Sequence, residues 1–424
     1  MSYTLWIANK LRLGGDDNGA SSPILNIATI GISLAIVVML LSISIVSGFK
    51  EEITHKIYSL DAHVKVYRTQ TDTSEPSPIT VKQVTPYISK GNHNIKSLYG
   101  IAEKEGILKT DHDFEGIVFR GVGKDYDTSF LKGCLKDGRM IKPSPVKSNA
   151  DEDTAPANTE VMMSTAIAQK LSLKTGDNVL IYFIGENVRV RKLHIVGLFS
   201  TDFNDFDSKV IIGDQNLIAE LNQWSPGQYS YIAVTLADPT CAKEEAFSIY
   251  DNIMQKVLAG SSIPSYGIEN IQNSNVGYFA WLDLLDMNIV IILILMSLVS
   301  GFTLIAGLVI IVLQRTRTIG TLKSLGATNS AIRRIFILLT VKLIVKALIL
   351  GNVIALALIF IQDTTHICTL SSESYYMSFV PVSLHWQAWL LLNVCVIVFA
   401  YITLLLPSYI ISRLKPSETM AVAD

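Results

Sequence analysis

Charge is scarce in this sequence. Asp, Glu, Lys and Arg make up 17% of its 424 residues and hydrophobic residues 49%, and the mean hydropathy is +0.37, too apolar for an ordinary soluble protein of this length. Neither sign dominates, with 35 Lys and Arg against 37 Asp and Glu. No basic field is present to hold a nucleic-acid backbone, which argues against nucleic acid as a partner. Cysteine is sparse too. Cys134, Cys241, Cys368 and Cys395 show no CxxC spacing, which argues against a zinc site and a disulfide framework and leaves Cys134 with Cys241 as the one pair to consider. Catalytic signatures are also missing. "GVGKDY" around Lys124 fails as a phosphate loop, because Val118 stands five residues before Gly123 and Asp125 follows the lysine. None of the seven histidines falls in an HExxH pattern, and no GxSxG turn occurs. His63, His112 and His194 read as ordinary sheet or loop residues. The chain therefore reads as non-enzymatic, without a metal or cofactor of its own, so any energy input must come from a partner.

What is plentiful is long apolar sequence. Four stretches, Ile24 to Val46, Asn288 to Leu313, Ile335 to Ile361 and Trp386 to Leu406, each approach the ~20 residues a helix needs to cross hydrocarbon. The first is longer than the core of a secretory signal and reads as a retained anchor. Arg315, Arg317, Lys323, Arg333 and Arg334 follow the second stretch, whereas Gln362 to His385 contains no Lys or Arg. Basic residues near helix ends stay in the cytoplasm, so the first of these loops is expected inside and the second outside. Both termini are then cytoplasmic, with Lys10 and Arg12 before the first helix and Arg413 and Lys415 after the last. The expected organisation is a cytoplasmic segment 1–23, membrane helices 24–49, 287–313, 335–361 and 386–406, and an outer domain 50–286. A cytoplasmic loop 314–334, a short outer loop 362–385 and a cytoplasmic tail 407–424 complete it. Lys342 and Lys346 interrupt the third helix on one face, and at a bilayer centre each costs about 3 kcal/mol. Snorkelling toward the cytoplasmic surface, or a protein partner, relieves that cost. Gly31, Ala35, Ser297 and Gly301, small and spaced by four, suit helix-to-helix packing.

The outer domain mixes two periods and reads as α+β. His63 to Tyr67, Gly116 to Val122, Asn178 to Ile184 and Arg191 to Phe199 read as strands; Thr165 to Leu173 and Glu244 to Val257 read as helices. Lys142 to Thr159, dominated by Pro, Ser, Asn, Ala and Asp, reads as a surface loop.

Between the second and third helices lies "QRTRTIGTLKSLGATNSAIRRIF", Gln314 to Phe336. Ile319, Leu322 and Leu325 are expected on one helical face, edged by Arg315, Arg317 and Lys323, a ridge suited to a groove in a soluble partner. Gly320 and Gly326 allow close approach and a turn back into the membrane. "RTRTIGTLKSLGAT", Arg315 to Thr328, resembles the coupling-helix signature of permeases related to FtsX and MacB. "ISLAIVVMLLSISIVSGFKEEI" from Ile32, "YYMSFVPVSLHW" from Tyr375 and "PSYIISRLKPSETM" from Pro407 are similar to the lipoprotein-releasing branch, LolC and LolE, and "VMMSTAIAQKLSLKTGDNVLIYF" from Val161 resembles the family's outer domain.

The resemblance implies four transmembrane helices with an inserted α+β periplasmic core of the MacB kind, in the bacterial inner membrane. It implies a cytoplasmic ABC ATPase of the LolD kind that binds ATP and Mg, and a second permease subunit in a homodimer or heterodimer. The coupling residues would be Arg315, Arg317, Ile319, Gly320, Leu322, Lys323, Leu325 and Gly326. Acylated lipoprotein would enter between the first two helices, giving Val46, Phe49, Ile53, Trp281 and Leu285 as contact candidates. A periplasmic carrier would receive it, although the turn matching the carrier-capturing loop, Phe183 to Lys192, is short. The alternatives are a MacB-like exporter of peptides or drugs and an FtsX-like signalling module that activates a cell-wall hydrolase.

Overall fold

The computed structural model describes residues 21–69, 77–88, 94–110, 113–142, 158–185, 187–260, 263–314, 316–371 and 375–413. Along the chain run α1 (Ser21–Leu60), β1 (Val64–Arg68), α2 (Val81–Val84), β2 (Ile95–Lys109), β3 (Phe114–Val122), α3 (Ser129–Gly133) and β4 (Leu135–Gly138). Then come β5 (Glu160–Ser164), α4 (Thr165–Lys170), β6 (Asn178–Phe183), β7 (Arg189–Phe199), α5 (Asn204–Asp207), β8 (Val210–Asp214), α6 (Gln215–Leu221), β9 (Tyr231–Leu236) and α7 (Ala242–Leu258). β10 (Tyr266–Asn270), α8 (Ile271–Ser274), α9 (Val276–Gln314), α10 (Thr316–Ser324), α11 (Asn329–Thr365) and α12 (Trp386–Arg413) complete it.

Four of these helices, α1, α9, α11 and α12, are long and apolar enough to cross a membrane. All four extend beyond the apolar stretches read from the sequence, α12 only at its carboxyl end. A hydropathy pattern reports the thickness of hydrocarbon, whereas a helix continues until a cap or breaker ends it. In α1 the polar continuation after Phe49 still buries Ile53, Ile57 and Leu60 at helical spacing.

The chain divides into two compact units. One comprises residues up to Glu52, Trp281–Thr369 and from Phe379 onward; the other comprises Ile53–Ala280 and Leu370–Ser378. The outer loop expected as a separate short element is thus shared, its tip counting with the sheet-bearing unit. The helical unit is held by one apolar cluster that includes Ile36, Leu40, Leu304, Leu308, Leu343, Ala347, Val396 and Leu404. Ser33 on α1 donates to the Ala347 carbonyl at 3.0 Å. Between α11 and α12, Asn352 and Asn393 exchange side-chain hydrogen bonds of 2.7 and 3.2 Å, and the Trp389 indole donates to Asn352 at 2.7 Å. In hydrocarbon, amides that satisfy each other join two helices without leaving a polar group exposed to lipid.

The other unit is built on a sheet of order β10-β1-β9-β2-β3-β8-β5-β7-β4, with β6 paired to β2 and β7. Its first four strands are mutually antiparallel and, with α2 and α7, form two β-α-β units in split arrangement. Everything from Ala102 to Ser230 is inserted between the second and third strands of that pattern. β2 makes the insertion possible by its length, pairing with β9 over Ile95–Ile101 and with β3 over Ala102–Lys109. The insertion has its own core of Phe119, Phe183, Ile181, Leu193, Ile211, Ile218 and neighbours. Cys134 and Cys241 are free thiols. The loop expected over Lys142 to Thr159 lies, apart from its ends, outside the described residues, as does His112.

Candidate functional site

Two places carry residues singled out from the sequence, and a third is added by the structure. The first is the segment between α9 and α11. Helix α10 ends in a reversed turn: Gly326 takes φ +87°, its N–H bonds the Lys323 carbonyl at 3.0 Å, and the Ala327 N–H bonds the Leu322 carbonyl at 2.9 Å. That pair of bonds is the Schellman ending that favours glycine in the left-handed position. Thr328 then caps α11, its hydroxyl accepting from the Ala331 N–H at 3.3 Å. One helix stops and the next starts within four residues, which is what Gly326 provides; Gly320 is buried inside α10 and makes no turn.

This geometry alters the expected ridge. Ile319 is 1% exposed and belongs to the core of its own helical unit, beside Ile332 and Ile335. Leu325 lies beyond the last residue of α10 and is 78% exposed. Ile319, Leu322 and Leu325 therefore do not form one outward face: the helix end turns Leu325 away from the other two. Leu322 and Lys323 are half-buried. Arg317 lies in α10, and Arg315 lies outside the described residues.

The second place is where α1 and α9 meet in the helical unit. The Phe49 and Trp281 rings pack edge to face at 5.3 Å, and the Lys50 ammonium meets the Asp286 carboxylate at 2.5 Å. Val46, Trp281 and Leu285 are half-buried, and Phe49 is packed under Trp281. Ile53 is fully buried and counts with the other unit, so it offers no surface to a lipid chain; the helical period that continues past the membrane turns it inward. The segment leading into α12 lies on α1, where the Ser383 N–H donates to the Ser44 carbonyl at 3.0 Å. A Cβ on Gly48 would come within 2.8 Å of the Pro381 carbonyl carbon and the Ser383 nitrogen. Gly48→Ala should push this segment off α1 and cost about 1–3 kcal/mol of stability, read as a lower melting temperature of the full chain in nanodiscs; an unchanged melt would show that the segment is not held there.

Of the expected packing residues, Gly31 faces Thr303 at 3.2 Å and Gly301 faces Phe399 at 3.1 Å, measured from an added Cβ. Ala35 is buried in the shared core. Ser297 instead lines a groove of about 520 Å³ between α1, α9 and α12, with Met39, Ile43, Leu293, Leu392, Cys395 and Phe399 among its walls. Lys342 and Lys346 are both exposed on α11.

The third place was not legible in the sequence: the end of α1 inside the sheet-bearing unit. Arg120 on β3 is 7% exposed. Its guanidinium donates to the Leu60 carbonyl at 2.8 Å and to Glu103 at 2.6 Å, and lies 3.6 Å from Asp61. Burial works against its charge, but Glu103, Tyr231 and Asp61 outweigh that and hold it well above the usual arginine value. Arg120 thus caps the carbonyl end of α1. His63 closes the other side: Nε2 donates to the Tyr58 carbonyl at 3.1 Å, while Nδ1 accepts from the Leu236 N–H at 2.8 Å. These partners fix the neutral tautomer, and burial pushes its pKa down. The His63 carbonyl accepts from Ile271 N–H at 2.9 Å, tying the end of α1 to the start of α8. The only sequence signal was a charged residue, Arg120, in the otherwise apolar run Gly116 to Val122.

Nearby, Asp207 accepts from the Thr201 N–H and hydroxyl at 2.9 and 2.8 Å. Burial pushes its pKa up to about 6 despite those bonds. A raised carboxyl pKa contributes stability that is present below the unfolded value near 3.9 and lost as pH rises through about 6. Asp207→Asn should remove that loss, so variant stability relative to the parent should rise by roughly 2–3 kcal/mol between pH 4 and pH 7. Melts of the full chain across that range check it, and parallel curves would contradict it.

Residues 25–246 match the family described as MacB-like periplasmic core domain. The chain belongs to that family. Residues 290–416 match the family described as FtsX-like permease C-terminal. The chain is 20% identical to the lipoprotein-releasing system transmembrane protein LolC of Neisseria meningitidis, over 99% of each chain. It is 19% identical to LolE of Haemophilus influenzae, over 99% of this chain and 100% of that one. The crystal structure of the periplasmic region of MacB from Actinobacillus actinomycetemcomitans aligns with 51% of this chain and 91% of its own length, at 15% identity and a TM-score of 0.32. The resemblance read from the sequence to the LolC and LolE kind of permease agrees with these matches. The protein is a multi-pass membrane protein with a MacB-type periplasmic domain.

Proposed function

We propose that this chain is the permease subunit of an ABC transporter that extracts acylated lipoproteins from the outer leaflet of the inner membrane. The single observation that carries this reading is similarity along the whole length of LolC and LolE, periplasmic domain and permease helices in the same order. In this reading α1, α9, α11 and α12 are the four membrane helices and both termini are cytoplasmic, because the Lys and Arg residues cluster at α10 and are missing from Gln362 to His385.

The energy source is a cytoplasmic ATPase of the LolD kind, which binds ATP and Mg. Its docking contact is the exposed end of α10, with Leu325 as the apolar plug and Lys323 on the preceding turn; Arg315 and Arg317 add positive charge to the same stretch of sequence. Docked motion passes along α1 and α9, the two helices whose residues continue from one compact unit into the other. Work of this kind needs no polar binding site at mid-membrane. Acyl chains need an apolar wall, which Val46, Trp281 and Leu285 begin and the groove beside Ser297 extends. A second permease subunit completes the complex, and a soluble periplasmic carrier takes the product. In this reading the chain's part is mechanical.

Depleting the chain in its own cells tests the cargo. Lipoproteins bound for the outer membrane should accumulate in the inner-membrane fraction of a density gradient, while unacylated periplasmic proteins are unaffected. An unchanged lipoprotein distribution with a defect in drug export or in septal wall cleavage would favour the exporter or the signalling module instead.

A further inference from the structure

Helix α7 carries two apolar stripes. Ala242, Ala246, Ile249 and Ile253 are buried within the domain. On the flank turned away from them, Phe247, Tyr250, Met254 and Val257 are 71%, 49%, 36% and 44% exposed. Their spacings of three, four and three residues follow the alternation of threes and fours found along a seam between two helices. A strand would present its side chains with period two and could not follow it.

We propose that two copies of this chain pair their outer domains through α7, antiparallel about a two-fold axis beside Tyr250. The stripe is self-complementary in that arrangement. Phe247 and Met254 stand on either side of Tyr250, so Phe247 of each copy meets Met254 of the other, a thioether against an aromatic ring. Charge selects the same direction. Lys243 opens the stripe at its amino end, and the antiparallel partner brings its carbonyl end there, where a cation is favourable. A parallel pair would set Lys243 against Lys243. The same patch serves both copies, so the contact closes at two.

The seam from Phe247 to Val257 is only about 16 Å long at 1.5 Å per residue, less than a permanent interface needs. It suits domains that a membrane already holds at high effective concentration, and it can form and part during a transport cycle. The proposal rests on the permease reading only in requiring two copies in one complex.

Disulfide trapping in native membranes, with the full chain co-expressed with its ATPase and its four native cysteines replaced by serine, tests the pairing. Tyr250→Cys, beside the axis, should give a dimer of twice the chain mass under mild oxidation, at least about tenfold more than Ser248→Cys off the seam. Asp251→Cys, an exposed position that folding does not depend on, should do the same. No dimer from either variant while the ATPase still copurifies would overturn the proposal, as would equal trapping from Ser248→Cys. A cross-linked product carrying a different protein would also overturn it, because the partner would not be a second copy. A seam-specific dimer with which the co-expressed ATPase fails to copurify would support the pairing and count against the permease reading.

Discussion

An Arg120→Leu chain should lose about 3–5 kcal/mol of outer-domain stability at neutral pH, because one partner of a buried ion pair is removed and the other stays. Arg120 is buried with Glu103 at 2.6 Å and Asp61 at 3.6 Å. Leucine would leave the Glu103 carboxylate to the Tyr231 hydroxyl alone, at 3.0 Å, and would free the Leu60 carbonyl at the end of α1. For a domain of this size the loss corresponds to a drop in melting temperature of roughly 6–20 °C. Arg120→Lys keeps the charge but not the planar fork that reaches Leu60 and Glu103 together, so it should fall between the two. Arg120→Leu combined with Glu103→Leu should recover part of the loss, since an apolar pair in place of a buried ion pair is often neutral. A single-variant shift under about 2 °C would show that Arg120 does not hold the end of α1.

Leu325→Asp is expected to have the larger effect on function and almost none on folding. A side chain 78% exposed sets little of the fold, so stability should stay within about 0.5 kcal/mol. In the proposed role as plug of the ATPase contact, its loss should cost about 2 kcal/mol of docking, roughly thirtyfold in affinity. Pull-down of the ATPase against the permease reads it directly. Ile319→Asp makes the contrast: it places a carboxylate in the core of the helical unit and should lower the amount of folded protein rather than affinity alone. Retained ATPase binding in folded Leu325→Asp would place the contact elsewhere.

The contrast between Leu325 and Ile319 also marks how far the sequence could be read. Apolar residues at helical spacing in "TIGTLKSLG" told that a helix was there, but not where it would end. The Schellman turn at Gly326 decides that, and with it which apolar residue stays outside. The long apolar runs of α1, α9, α11 and α12 were legible because hydrocarbon demands them. Their extensions were not, because past Phe49 the pattern becomes an ordinary amphipathic helix. Strands β6 and β7 were legible from alternation. β8, "VIIGD", is buried along its whole length and carries no alternation, and β2 hides behind the charges of "AEKEG", which it tolerates because Glu103 is spent on Arg120. The joint at the end of α1 ties Leu60 to Arg120 and His63 to Leu236 and Ile271, partners distant in sequence, and no local pattern could announce it.

The central claim is that ATP hydrolysed by a partner drives acylated lipoprotein off the membrane through this chain. Reconstituting the chain with its ATPase in liposomes loaded with an acylated lipoprotein, and measuring transfer to a soluble carrier, tests it most directly. The account predicts release that requires ATP, that is lost with Leu325→Asp, and that fails for the same lipoprotein without its acyl chains because it never enters the membrane assay. Intact ATP hydrolysis with a competent carrier and no release would contradict it.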